Sequence, residues 1–426
     1  MLDRIQEPAF GKIESINLVE PTVHHLSNGI PVFSINAGTQ NVVKVELVFG
    51  VGTASTGKML LTSATVNLLK EGTETKSASE IAEAVDFYGA YLQSEVTHDE
   101  SSLTLFSLGK HLNQTLPILA EVFSKPAFSE REFETYILKS QQEMLVNMEK
   151  VGYLCSKAYT ATLFGEDHPY GRSANPEDYS YLTNQELVEF HGSSIKPGPK
   201  YIIVSGKLND DIIALLEKRF GNFQVHTQAT EEVEVAASSG TKMIAQVKKP
   251  GSVQNAIRIG RVLFNRTHQD FVGMQILATV LGGYFGSRLM SNIREDKGYT
   301  YGVGAGIVSL KGSGYLSIST EVGSDVCQAA LNEIYFEIER LRKHLIPTDE
   351  LELVRNYMLG SVLKSIDGPF HIASKWKTYL NHGLGIDAHH AFVHQIKTIT
   401  PERLKELAQK YLQREDLKQV VAGKPL

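Results

Sequence analysis

The chain has 426 residues, more than one hydrophobic core normally organises, so two domains are expected. Apolar residues at 42% and charged residues at 21% are ordinary for a globular protein, and a net charge of −6 without a basic block argues against nucleic acid as a partner. Cys155 and Cys327 lie far apart without C-x-x-C spacing, which argues against a disulfide framework and reads as two buried thiols in a reducing compartment.

The opening MLDRIQEPAFGKIESINLVEP has no apolar run after its basic residue, so no secretory signal is expected. No stretch approaches the roughly 20 apolar residues that span a bilayer. A cytoplasmic location away from membranes is the expectation.

In chain order, TVHHLSNGIPVFSINAG predicts a hairpin turning on Asn28 and Gly29, and NVVKVELVFGVG a further strand. SATVNLLKEGT, residues 63–73, reads as the end of a helix stopped by Gly72. KSASEIAEAVDFYGA is amphipathic, AYLQSEVT and SSLTLFSLG alternate as strands do, and LNQTLPILAEVF returns to helix. Ser129 caps a long helix, and YIIVSGKL is a buried strand. Residues 226–241 are acidic, then small and polar, and predict a linker between domains at 1–225 and 242–426.

Beyond that linker the earlier order recurs. The long helix starting at Ser129 has a counterpart at Thr348, Thr183-Asn-Gln-Glu-Leu one at Thr400-Pro-Glu-Arg-Leu, and Val204-Ser-Gly-Lys one at Val421-Ala-Gly-Lys. The first two landmarks lie 54 residues apart in one half and 52 in the other, and the last two lie 21 apart in both. Three landmarks in register predict a duplicated α+β unit, each half an antiparallel-rich sheet packed with helices.

Candidate chemistry is sparse. GTASTGKM (52–59) fits G-x-x-x-x-G-K but ends on Met59, where a nucleotide loop needs a hydroxyl for Mg²⁺, so a turn with a solvated lysine is expected. His390 and His394 sit four apart, yet Val393 stands where a metalloprotease helix needs Glu. In NIREDKGYTYGVGAGI (292–307), Arg294 and Tyr301 lie seven apart around Gly298. Beside one cleft, a guanidinium fork and a phenol O–H would donate hydrogen bonds to peptide carbonyls or a developing oxyanion.

The motifs LSNGIPV, KEGT with SASEIAEAVDFYGA, PAFSEREFE, HPYGR (168–172), LGGYFGSRL and IREDKGYTY follow one another in an order that resembles the pitrilysin/insulinase family of zinc metallopeptidases. The resemblance covers nearly the whole chain and is strongest to the processing-peptidase-like group of roughly 400-residue subunits. It implies two related α+β halves in a clamshell subunit, with Arg294 and Tyr301 holding substrate at a zinc site. Counting back from KEGT, the family's H-x-x-E-H motif falls on residues 63–67. Its two histidine ligands are here Ser63 and Asn67, and its water-activating Glu is Val66; the resemblance makes Glu143 the match for the third ligand. One carboxylate and an amide cannot replace two imidazoles at a catalytic zinc, and Val66 can neither take nor give a proton. The resemblance therefore implies a subunit that binds no cofactor and works with a zinc-bearing paralogue on peptide substrates, a homodimer being possible in its absence. The alternatives are a catalytically inactive structural or peptide-binding homologue and, on GTASTGKM alone, a nucleotide hydrolase.

Overall fold

The computed structural model describes residues 13–223 and 243–425; the expected linker at 226–241 lies outside them. The first half begins with β1 (Thr22–His25), β2 (Pro31–Asn36), β3 (Val42–Phe49), α1 (Leu61–Leu68) and α2 (Ala78–Phe87). It continues through β4 (Tyr91–Val96), β5 (Ser101–Leu108), α3 (Leu112–Ser124), α4 (Glu130–Met148) and α5 (Val151–Phe164). It closes with α6 (Asn184–Phe190), β6 (Tyr201–Gly206) and α7 (Ile212–Phe220). The second half runs β7 (Ile244–Lys248), β8 (Gln254–Gly260), β9 (Val262–Leu263), α8 (Phe271–Ala278), β10 (Val303–Ser309) and β11 (Gly314–Gly323). Then follow α9 (Cys327–Lys343), α10 (Thr348–Lys364), α11 (Pro369–Asn381), α12 (Ile386–Thr398), α13 (Pro401–Tyr411) and β12 (Lys418–Gly423).

The sheets repeat one plan. Strands of the first run β1-β2-β6-β3-β5-β4 and of the second β7-β12-β8-β11-β10, with β9 beside β11. Among the described residues, the only parallel pair in each is the same one, β2 with β6 and β7 with β12. The landmark glycines occupy equivalent places. Gly206 has φ +134° and Gly423 +140°, and a Cβ would come within 2.2 Å of the Val42 carbonyl at one and 2.3 Å of Asn255 Oδ1 at the other. Only glycine tolerates that combination. Helix starts agree less closely: the Ser129 hydroxyl accepts from the Glu132 amide, whereas Thr348 follows Pro347 and caps nothing.

Each half lends the other a helix. α5 lies on the second sheet, where Cys155, Tyr159, Leu163 and Phe164 pack with Ala256, Val420 and Ala422. Its counterpart α11 lies on the first sheet, where Ile372, Ala373 and Trp376 meet Ile35, Val48 and Ile203. The α5 seam is apolar, and both cysteines are buried and free. The α11 seam also buries ions. Lys377 Nζ approaches Glu46 Oε1 at 2.8 Å, Glu95 at 3.3 Å and Glu100 at 3.6 Å, while Lys44 holds the other Glu46 oxygen at 2.6 Å. Burial alone would raise the Glu46 carboxyl, but Lys377 and Lys44 keep it below the usual range. Glu100 is pushed up to about 7 by burial, with Glu46 adding to the rise against the pull of Lys377. Among the described residues no helix is long and apolar enough to cross a membrane.

Candidate functional site

Ser63 and Asn67 stand one turn apart on α1 and face a hollow of about 470 Å³, shared with Tyr136, Lys139 and Glu143 of α4 and with Tyr153. The structure thus brings together the three positions that the resemblance paired. It also engages Asn67. The Asn67 amide donates to the Tyr136 hydroxyl at 3.4 Å, and its oxygen accepts from Ser94 of β4 at 2.8 Å. Val66 is fully buried in the core of the first half. Glu143 is exposed and makes no hydrogen bond or ion pair among the described residues. A catalytic zinc needs three strong donors and a basic group beside its water. An amide engaged at both ends, a serine and one carboxylate do not fit that ion, so no step is assigned to it here. Among the described residues no group of three or more histidine, cysteine, aspartate or glutamate side chains is placed to hold a metal.

Arg294 and Tyr301 behave differently. Arg294 sits on the helical segment Met290–Asp296, which Gly298 ends with φ +66°, so the chain doubles back and brings Tyr301 beside it. Arg294 Nε donates to the Tyr301 carbonyl at 3.1 Å. The guanidinium carbon lies 4.7 Å from the centre of the Phe285 ring. One nitrogen and one face being fixed, the two terminal nitrogens remain, with only Glu295 nearby at 4.0 Å. Tyr301 is 95% exposed, and its hydroxyl has no hydrogen-bond partner among the described residues. The Thr300 hydroxyl donates to the Glu321 carbonyl at 2.7 Å, tying the turn to β11.

Tyr301 lines a second hollow of about 450 Å³ with Arg258, Gln254, Glu321 and Gly152. Gly152 faces this hollow and its neighbour Tyr153 the first, so the two open on either side of the first turn of α5. Each hollow also lies beside an edge strand: β4 through Ser94, and β10, which starts two residues after Tyr301.

Other sequence expectations fare variously. Lys58 of GTASTGKM is not a solvated lysine. Its ammonium pairs with the Glu186 carboxylate and donates to the Tyr181 carbonyl, because α6 packs against α1 and carries an acid to it. His390 and His394 are exposed on α12, while the neighbouring His389 is buried against the Ile16 carbonyl. Phe285 and Arg258 were missed. The first lies in a glycine-rich loop with no local signal of its own, and the second reads in sequence as an ordinary strand residue.

Residues 32–172 match the family described as insulinase (peptidase family M16), and residues 181–358 match the peptidase M16 inactive domain. An uncharacterized zinc protease, YmxG of Bacillus subtilis, is 27% identical over 70% of this chain and 72% of its own length. A protein named non-peptidase homolog YmxG, from Helicobacter pylori, is 22% identical over 82% of this chain and 81% of its own. A crystal structure of a peptidase M16 inactive domain from Pseudomonas fluorescens superposes with a TM-score of 0.86 at 21% identity, covering 96% of this chain and 99% of that one. Matched by both family models and built on one repeated sheet plan, the chain belongs to the peptidase M16 (insulinase) family and has its two-halved α+β clamshell fold.

Proposed function

We propose that this chain is the non-zinc-binding subunit of a heterodimeric zinc metalloendopeptidase, lending Arg294 and Tyr301 to the active site of a paralogous partner. The observation that carries the reading is the unpaired Tyr301 hydroxyl beside an Arg294 guanidinium fixed through Nε and one face, in a molecule whose α1 presents a buried Val66 and an engaged Asn67 in place of metal-site groups. A guanidinium and a phenol beside a substrate carbonyl would stabilise the charge that develops on its oxygen. Peptides or small unfolded proteins would enter extended and add to a sheet edge, β4 or β10, where backbone hydrogen bonds give affinity without a strict sequence. Zinc and the general base belong to the partner.

Co-expression with a paralogue bearing an intact H-x-x-E-H tests this. Peptidase activity should require both chains, be lost with chelators, and fall on Arg294→Ala or Tyr301→Phe. Activity unaffected by either substitution would refute the composite site. The second reading, an inactive structural or peptide-binding homologue, draws support from the relative named a non-peptidase homolog. It is favoured if no paralogue elicits activity while the chain alone still binds extended peptides.

A further inference from the structure

The edge strand β10 has one bare face. Val303, Ala305 and Ile307 pack into the core of the second half, so Gly302, Gly304 and Gly306 point to the opposite face, the one on which α5 lies. Neither dihedral angle nor crowding asks for glycine there. None of the three has a positive φ. A Cβ would meet nothing within 4 Å at Gly302 or Gly306, and only the Gly282 carbonyl, at 3.9 Å, at Gly304. Glycine weakens a strand, and where no local reason holds it marks a place that another backbone or a ligand approaches closely. The matching edge of the first sheet shows the contrast. There β4 fills the corresponding face with Tyr91, Gln93 and Glu95, the first against Phe106 and the last held by Lys377.

Behind the bare strand lies a polar floor. The register sets Gly304 opposite Ser319 and Gly306 opposite Ser317 on β11, and Ser319 opposite Arg258 on β8. Arg258 leans across β11, where its Nη1 donates to Ser317 Oγ at 3.4 Å. Among the described residues its side chain makes no other hydrogen bond and no ion pair. Glu321 lines the same hollow, diagonal to Arg258, and its carboxylate is likewise unpaired there. A peptide added to β10 would set alternate side chains over the glycines. It would lie three strand spacings from β8, roughly 14 Å at about 4.8 Å each. Two long side chains reaching toward each other span that gap only where nothing on β10 stands between them. A guanidinium with free nitrogens matches a carboxylate, and Glu321 opposes a second negative charge beside it.

We propose that the β10 edge selects extended peptides carrying a single glutamate, whose side-chain carboxylate crosses the glycine strip to Arg258. This rests on the reading that peptide adds to a sheet edge, but it needs neither a zinc-bearing partner nor catalysis.

The test uses the full chain and short, fluorescein-labelled, C-terminally amidated peptides that differ only at one central position, Glu, Asp or Gln, followed by fluorescence anisotropy. The Glu peptide should bind about tenfold or more tightly than the Gln peptide, as a charge-assisted hydrogen bond implies. The Asp peptide, one methylene shorter, should fall between them. Arg258→Gln should erase the preference and leave both the Gln peptide's affinity and the melting temperature unchanged, while Arg258→Lys keeps part of it. Glu321→Gln should tighten the Glu peptide, a gain that a merely structural residue would not give. Gly306→Val has room for its side chain and suits a strand, so it should melt no earlier than the parent yet lose the Glu preference. A Gln peptide with a free C-terminal carboxylate should gain nothing over its amide. Equal affinity for the Glu and Gln peptides, no measurable binding of any peptide, a preference that survives Arg258→Gln, or a gain that follows the free terminus instead would overturn the proposal. Activity of the reconstituted complex that depends on Arg294 and Tyr301 but shows no Glu preference would refute this selection alone and leave the composite site standing.

Discussion

The α1 face and the Arg294 face present opposite kinds of polar group. On α1 two of the three positions that the resemblance aligns with the metal motif are engaged, Val66 by the core and Asn67 by Tyr136 and Ser94, while Ser63 lines the hollow. On the other face the Tyr301 hydroxyl stays unpaired in solvent, and Arg294 is fixed by one bond and one ring with its ends left over. Polar groups released from a function drift toward internal satisfaction, because an unmet hydrogen bond in a half-buried place costs stability. On the proposed reading, a ligand supplies the partner that Tyr301 lacks.

The largest effect should come from forcing the closed face open. Val66→Glu would place a carboxylate in the first-half core and destabilise by about 3–5 kcal/mol, as an uncompensated buried charge does. Chemical denaturation measures it, and near-parental stability would mean that α1 can turn this position toward the hollow. Next comes the open face. Tyr301→Phe should leave stability within about 0.5 kcal/mol yet lower turnover of the reconstituted complex about 10²–10³-fold, the usual loss for one oxyanion donor. A Tyr301→Phe protein that melts early would show the phenol to be structural.

Third is the frame that joins the faces. Glu100, raised to about 7 from an ordinary 4.5, favours its protonated form in the fold. Its contribution is therefore complete below about pH 4.5 and is lost as pH rises toward 7, by at most about 3 kcal/mol at 1.36 kcal/mol per unit. Glu46 works the other way: its pKa is lowered, so its share is present above pH 4.5 and lost as pH falls below. Denaturation between pH 5 and 8 should show the decline, and Glu100→Gln should flatten it. The smallest effect is Asn67→Ala, which strands Ser94 and Tyr136 at a cost of about 1–2 kcal/mol. A neutral outcome there would mean that solvent already satisfies the α1 face.

Much of this was legible in the chain. Alternation and turn residues marked the strands, and the Val-x-Gly-Lys landmark was readable because Gly206 and Gly423 answer a backbone demand no other residue meets. Arg294 and Tyr301 were legible because a local turn joins them. What escaped depends on distant packing. That Lys58 finds Glu186, or that Lys377 sits among Glu46, Glu95 and Glu100, follows from elements far apart in the chain packing together, which no local pattern encodes. The two cysteines were correctly placed inside, but nothing in their spacing announced that Cys155 is buried in the opposite half.

The lending of α5 to one sheet and α11 to the other bears on how such a molecule arose. A lone ancestral unit would have left the back of its sheet bare and its helix uncovered, whereas two copies trading helices would have clothed both. Joining the two copies in one chain makes that exchange permanent. Either half expressed by itself should accordingly be found paired with its own twin or insoluble.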